Sequence, residues 1–221
     1  MMTVITAHPL ADTLAAGLAE LAIALTPEQQ RSLLAYVDLL AKWNKTYSLT
    51  AIREPERMVP HHLLDSLAPL PHLAGQPGCR VLDVGSGFGT PGIPLAIARP
   101  DWQLFLLDSN HKKTTFLRQA IVDLRLPNVT VLTERVESYR PEAGFQIITS
   151  RAFADLGEFV KLTRHLLAPG GEWAALKGVY PYEEIAQLTV DIRVASVDHL
   201  AVPGLEAERH LVHLKTENAA A

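Results

Sequence analysis

Asp83-Val84-Gly85-Ser86-Gly87-Phe88-Gly89 closes the apolar run Val81-Leu82-Asp83-Val84 and leads into Gly92-Ile93-Pro94-Leu95-Ala96-Ile97-Ala98. The run before the turn reads as a buried parallel strand and the segment after it as a helix stopped by Pro100. A glycine-rich turn between a strand and a helix is where an α/β fold holds a nucleotide-like ligand. The spacing narrows the kind of nucleotide. A dinucleotide fingerprint needs its third glycine at position 90, where this chain has Thr, and no Gly-Lys-Ser/Thr follows as a P-loop requires. Instead Gly85, Gly87 and Gly89 alternate, which lets the backbone approach a ligand without Cβ atoms in the way.

A second apolar run, Leu104-Phe105-Leu106-Leu107, ends in Asp108. A carboxylate at that strand tip can accept hydrogen bonds from both ribose hydroxyls. Alternate glycines plus this acid form the pattern of S-adenosylmethionine methyltransferases. Two acids keep two readings each. Asp108 either holds the ribose or caps the next helix, a task Ser109 or Asn110 can also perform. Asp83, inside an apolar strand end, either reaches a ligand amino group through water or orders the turn.

Outward from this core, strands and helices alternate. A helix over His111 to Arg125 buries Phe116, Leu117, Ala120, Ile121 and Leu124, and Pro127-Asn128 turns into Val129-Thr130-Val131-Leu132. Further strands are predicted at Phe145 to Thr149 and at Glu172 to Leu176, with Pro169-Gly170-Gly171 as the turn before the latter. Such alternation predicts a mostly parallel sheet with helices on both faces. Ile192 to Leu200 and His210 to Leu214 read as an antiparallel pair at one edge. Residues 1–75 read as a helical extension: Thr26-Pro27-Glu28-Gln29 offers an N-cap, a first-turn proline and a capping-box glutamine, and Leu33, Leu34, Val37, Leu40 and Ala41 share a face. A shorter helix is expected from His61 to Leu70, ended by Pro71. The expected organisation is an N-terminal helical extension (1–75), a Rossmann-like methyltransferase domain (76–216) with an antiparallel edge strand, and a disordered tail (217–221).

Composition fits a cytoplasmic globular enzyme, with 48% hydrophobic and 20% charged residues. No apolar run reaches the roughly 18 residues of a membrane helix, and the first basic residue is Arg31, so the basic start of a signal peptide is absent. The single cysteine, Cys79, excludes an internal disulfide and a cysteine-cluster metal site. A net charge of -4 argues against indiscriminate nucleic-acid binding and confines any such binding to local patches. His61-His62 cannot both face one ion from a helix, and no metal site is predicted.

The segments Lys42-Trp43-Asn44-Lys45-Thr46-Tyr47-Ser48-Leu49-Thr50, Gly87-Phe88-Gly89-Thr90-Pro91-Gly92-Ile93-Pro94-Leu95, Ser150-Arg151-Ala152-Phe153, Leu176-Lys177-Gly178 and Glu208-Arg209-His210 together resemble the bacterial small-subunit ribosomal RNA methyltransferase G family, also called glucose-inhibited division protein B. The resemblance runs from the first capped helix to near the C-terminus. It implies a class I Rossmann-like fold, S-adenosylmethionine as cofactor, and methyl transfer to N7 of one guanine in 16S ribosomal RNA. The expected partner is 16S ribosomal RNA or the small ribosomal subunit, and the protein is expected to be a monomer. It also implies a cofactor pocket comprising Gly85, position 90, Val136, Glu137 and Arg151, beside Gly87, Gly89 and Asp108 from the reading above. Thr90 stands where the family usually carries a larger apolar residue.

The chemistry agrees with what the sequence lacks. Guanine N7 has an in-plane lone pair and no proton, so no general base is expected. Residues 149–152, Thr-Ser-Arg-Ala, replace the Asn/Asp-Pro-Pro-aromatic motif of exocyclic-amine enzymes, and Cys79 precedes the sheet, where a pyrimidine-C5 nucleophile would not lie. Arg151, at the C-terminal edge of the fourth strand, is the candidate catalytic residue, by orienting substrate or clamping a carboxylate or phosphate. Its structural alternative is a salt bridge to an acid such as Asp155. RNA-contact candidates are Lys112, Lys113, Lys177 and Arg209, with Arg118, Arg125, His210, Trp43 and Tyr47 behind them. Two other readings are a small-molecule methyltransferase, recognised by methyl transfer without RNA, and a noncatalytic RNA-binding assembly factor, recognised by failure to bind S-adenosylmethionine.

Overall fold

A computed structural model describes residues 8–217. Of the tail expected over 217–221, residues 218–221 lie outside the described residues, and Glu217 is ordered, donating its N–H to the Asp191 carbonyl at 2.8 Å. Strands β1 (Arg80–Val84), β2 (Gln103–Leu107), β3 (Val129–Leu132), β4 (Phe145–Arg151), β5 (Leu167–Lys177), β6 (Ile192–His199) and β7 (His210–Thr216) form one sheet in the order β3-β2-β1-β4-β5-β7-β6. β1 to β5 pair in parallel, and β7 pairs antiparallel with both β5 and β6. The antiparallel pair expected at one edge is present as β6 and β7; within it β7 is the one reversed strand, and the outermost strand, β6, runs with the parallel set. The chain reaches β7 through a connection short enough to reverse it, as the absence of a helix between the two runs requires.

Side-chain parity divides the helices between two faces. Val81, Leu104, Leu106, Ile147 and Leu176 enter one core with the helices α1 (Ala11–Glu20), α2 (Pro27–Tyr47), α4 (Asp65–Leu67), α5 (Gly92–Ala98) and α6 (His111–Asp123). Leu82, Val84, Ile148, Trp173 and Ala175 enter the other with α7 (Leu156–Thr163), the β4–β5 crossover. The N-terminal helices thus share a continuous core with the sheet. α2 starts as its sequence predicts: Thr26 Oγ1 accepts from the Gln29 N–H and Gln29 Oε1 accepts from the Thr26 N–H, at 3.2 and 2.8 Å.

Two elements differ from expectation. The helix expected over His61 to Leu70 begins at α3 (Pro55–Met58), widens into a π turn at Val59–Leu64, and regains α geometry only at α4, with a 3-10 turn over Leu70–His72 beyond it. Pro60 has no N–H for a regular ladder, which accounts for the widened turn. Pro169-Gly170-Gly171 falls within the range of β5 yet still bends the chain ahead of Glu172: between the pairs Phe145↔Leu167 and Ile147↔Glu172 the register shifts, and Gly170 takes φ 74°. A Cβ on Gly171 would lie 2.9 Å from the Phe145 carbonyl oxygen, so glycine permits that close approach.

Candidate active site

At the C-terminal edge of the sheet, where β1 and β4 send their connections to opposite sides, an α/β sheet opens a crevice for ligands. A cavity of about 420 Å³ lies there, lined by Gly85, Asp108, Lys113, Val136, Glu137 and Phe153 among others. Its walls come from the glycine turn, the tip of β2, the helix-free β3–β4 connection and the residues after β4.

The turn is fixed by the backbone. Gly85, Gly87 and Gly89 have φ of 70°, 60° and 100°, and the Gly85 and Ser86 N–H groups donate to the Leu107 carbonyl at 2.8 and 3.1 Å. A Cβ on Gly85 would meet the Phe153 ring at 2.8 Å, so the left-handed backbone and the close packing both demand glycine. Gly89 faces Ile93 and Leu117 rather than the cavity.

Asp108 is buried, and its Oδ2 accepts the Gly87 N–H at 2.9 Å while Oδ1 accepts the Asn110 N–H at 2.8 Å. The helix-capping alternative goes to Asn110, whose Oδ1 accepts from the Lys112 and Lys113 N–H groups at the start of α6. Asp108 lines the cavity, and each of its oxygens keeps lone-pair capacity beyond these bonds. The Lys113 ammonium stands 3.8 Å from it, so Lys113 belongs to the cavity wall, whereas Lys112 is exposed on α6.

Asp83 is fully buried. Its Oδ2 accepts the Gly92 N–H at 3.0 Å, which is the turn-ordering role, and its Oδ1 has no partner among the described residues. Burial pushes its carboxyl up to about 7, against the lowering pull of the Gly92 N–H and the Arg151 charge.

Arg151 and Thr90 lie outside the cavity lining, on the helical side. Position 151 has the parity of Ile147, so its side chain faces α4; Ala152 then adopts φ 54°, and Phe153 returns to the cavity. Arg151 Nη1 donates to Asp65 Oδ2 at 2.8 Å and to the His61 carbonyl at 3.3 Å, and Nη2 donates to Thr90 Oγ1. The ion-pair partner is Asp65, not Asp155, which instead caps α7 by accepting the Glu158 N–H at 2.8 Å. Arg209 Nε donates to the other oxygen of Asp65 at 2.8 Å.

The remaining candidates separate. Lys177 shares the sheet edge but not the face: it pairs with Glu184 at 2.6 Å and donates to the Ala154 carbonyl at 2.9 Å. Trp43 stacks on Tyr47 at 5.0 Å and meets Phe116 edge-on at 5.5 Å, which is core packing. Arg118 donates to Thr133 and His210 bonds to the Gly178 carbonyl. Among the described residues no group of three or more His, Cys, Asp or Glu could hold a metal ion, and no helix is long and apolar enough to cross a membrane.

Sequence reasoning missed Asp65, Tyr36 and His62. Tyr36, on α2, donates its hydroxyl to the Phe88 carbonyl at 2.7 Å, and the His62 ring lies 4.8 Å from the Phe88 ring. The available signal was an acid and a histidine within the apolar stretch Met58 to Leu70, where each needs a buried partner. Thr50 Oγ1 supplies His62 Nε2 with one at 3.0 Å.

Comparison with known proteins agrees with this architecture. The solved structure of a SAM-dependent methyltransferase from Aquifex aeolicus aligns with a TM-score of 0.58 at 20% identity, over 73% of this chain and 93% of that one. TrmN from Thermus thermophilus aligns at 0.54 and 21%, over 68% and 48%. These likenesses establish the class I, Rossmann-like methyltransferase fold. At the sequence level, the chain is 64% identical to ribosomal RNA small subunit methyltransferase G of Laribacter hongkongensis over 93% of this chain and 98% of that protein. It is also 64% identical to the protein of that name from Chromobacterium violaceum, over 90% and 94%. The family profile described as rRNA small subunit methyltransferase G matches residues 29–212. The chain belongs to the rRNA small subunit methyltransferase G family.

Proposed function

We propose that this protein transfers the methyl group of S-adenosylmethionine to N7 of one guanine in the 16S ribosomal RNA of the small subunit. The observation that carries the reading is the cavity at the C-terminal edge of β1 and β2, in a chain of this family. Its volume of about 420 Å³ lies within the roughly 300–1,000 Å³ of small-molecule sites. The residues fit a nucleoside cofactor. Gly85 gives close backbone approach, Asp108 offers its remaining lone pairs to ribose hydroxyls, and Val136 with the Glu137 backbone forms a wall for the adenine. Asp83, buried behind the turn, contributes by ordering it through the Gly92 N–H.

When bound, the cofactor supplies an electrophilic methyl: the N7–C bond forms as the S–C bond breaks, the electron pair passes to sulfur, and the guanine takes up the positive charge. N7 carries no proton, so the protein has none to remove. What the chain contributes is position, which supplies roughly 7–11 kcal/mol in favourable cases. Arg151 orients the RNA from the helical side. It is kept from N7 itself, whose lone pair must stay free.

The test is nucleoside mass spectrometry of small-subunit RNA from a strain lacking the protein, after incubation with purified protein and methyl-labelled cofactor. Labelled 7-methylguanosine is expected. Label on another base would overturn the N7 assignment, and cofactor binding without labelling of naked RNA or intact subunits would favour a small-molecule substrate.

A further inference from the structure

With a net charge of -4, the chain has to meet an RNA backbone through a local patch. Residues 42–53, the end of α2 and the loop beyond it, hold Lys42, Lys45 and Arg53 and no acid. All three cations are exposed, and among the described residues none of them forms an ion pair. The next acid along the chain, Glu54, turns to Arg57 at 3.9 Å. Lys42 and Lys45 are three residues apart on a helix and share a face. Tyr47 lies on Trp43 with ring centroids 5.0 Å apart, yet stays 48% exposed. Unpaired cations beside an open aromatic ring suit a single-stranded nucleic acid, whose phosphates take the charge and whose bases take the ring. Another exposed aromatic pair, Tyr180 and Tyr182, is followed directly by Glu183 and Glu184 and lacks that charge.

The surface is concave and preformed. An open recess of about 440 Å³ is lined by Asn44, Ser48, Leu49, Thr50, Ala51 and Arg53. Asn44 holds the loop in shape: its Oδ1 accepts the Thr50 N–H at 2.9 Å, and its Nδ2 donates to the Ile52 carbonyl at 3.0 Å. A loop held in this way loses little freedom on binding. The recess also adjoins the cofactor turn. Thr50 Oγ1 bonds to His62 Nε2 at 3.0 Å, and the His62 ring lies 4.8 Å from that of Phe88, between Gly87 and Gly89.

We propose that residues 42–53 are the docking surface for an unpaired stretch of the substrate RNA. Lys45 and Arg53 hold its phosphates, Tyr47 stacks one base, and the recess takes a neighbouring nucleotide. The inference rests on the RNA-methylation reading above.

Filter binding of deproteinised small-subunit RNA and of intact subunits, across a salt series, tests it. Calorimetry with S-adenosylmethionine reports that each variant is folded, with affinity within about twofold of the parent. Lys45→Gln combined with Arg53→Gln is expected to weaken RNA binding about 10-fold or more. It should also flatten the slope of log K against log salt by about 1.4, since each single-strand phosphate contact contributes roughly 0.7. Tyr47→Leu keeps apolar cover over Trp43 but removes the stacking ring, and should weaken binding about 10-fold with the slope unchanged. Ala51→Leu narrows the recess without altering charge and should act in the same direction. Lys161→Gln combined with Arg193→Gln removes equal exposed charge from α7 and β6 and should leave affinity within about twofold and the slope unchanged.

Unchanged affinity and slope in the Lys45 and Arg53 variant overturns the proposal. So does an equal loss in the Lys161 and Arg193 variant, which would reduce the effect to net charge. A loss on intact subunits with binding of deproteinised RNA unchanged would make the partner a subunit protein and overturn it as well. Lost cofactor affinity with RNA binding intact would leave the loop as a brace for the glycine turn. A parent protein that binds cofactor but no RNA overturns the function reading itself, whereas failure confined to the variants leaves that reading standing.

Discussion

The two sides of the sheet edge are built differently. On the cavity side, the glycine turn and Asp108 hold each other through backbone N–H groups within about one strand-helix-strand unit, residues 83–110. On the helical side, Asp65, Thr90, Arg151 and Arg209 come from four separate segments, and their geometry exists only because α4, β4 and β7 pack together. The first side reuses what an α/β unit offers any nucleoside ligand, whereas the second is particular to this chain's extra helices. On the proposed reading the cofactor and the substrate meet at one edge, on sides that should answer to different mutations.

The largest expected effect breaks the helical side. Arg151→Ala should lower methylation of small-subunit RNA by about 100-fold or more while cofactor affinity stays near the parent value, because orientation rather than cofactor contact is lost. Calorimetry with S-adenosylmethionine alongside single-turnover rates separates the two; a parallel loss of cofactor affinity would place Arg151 on the cavity side and erase the contrast.

Asp108→Ala is the mirror experiment. Losing charge-assisted bonds worth about 1.5–3 kcal/mol should weaken S-adenosylmethionine by roughly 10- to 100-fold, with RNA retention on filters unchanged. An unaltered cofactor Kd would leave Asp108 as a brace for Gly87 and Asn110 only.

Tyr36→Phe probes the join between the two sides. The variant leaves the Phe88 carbonyl without its buried donor and should cost about 1–3 kcal/mol in urea unfolding. Burial holds the Tyr36 hydroxyl well above the usual phenol range, so it stays a donor at every working pH. No change in stability would mean that the glycine loop does not depend on α2.

The smallest effect is on pH dependence. The buried Asp83 carboxyl, raised from 3.8 to about 7, keeps its proton longer in the folded state, so its contribution to stability is present below about 4 and is lost as pH rises toward 7. His62 is lowered from 6.5 to about 4, mainly by burial and then by the Arg151 charge, so its contribution is present above 6.5 and is lost as pH falls toward 4. The two slopes oppose each other between pH 4 and 6.5. Thermal melts of the parent should be nearly flat there, and Asp83→Asn should unmask a melting temperature that rises with pH; a flat profile in the variant would mean that His62 does not titrate with folding.

The legible parts of the molecule were those whose cause is local. The turn at 85–89, the capping box at 26–29 and the strand at 81–84 follow from glycine conformation, side-chain capping and apolar runs, each complete within a few residues. Where a local rule was ambiguous, the reading slipped. The helix expected from His61 starts earlier, at Pro55, and passes through a π turn, and the bend at Pro169-Gly170-Gly171 lies inside the range of β5 rather than ahead of it. Lys177 and Arg151 looked equivalent because both end strands at one edge, yet parity sends them to opposite faces, Lys177 to Glu184 and Arg151 to Asp65.

By itself the sequence determined the alternating sheet, the glycine turn and the acid at the tip of β2, because strand period, left-handed glycines and strand-end position are properties of neighbouring residues. Tertiary structure alone decided that Asp65 would receive two arginines 86 and 144 residues away. No propensity encodes that meeting: it arises when the N-terminal helices and β7 are packed against the same sheet edge, where a buried carboxylate must be paired and the nearest cations are those the fold brings to it.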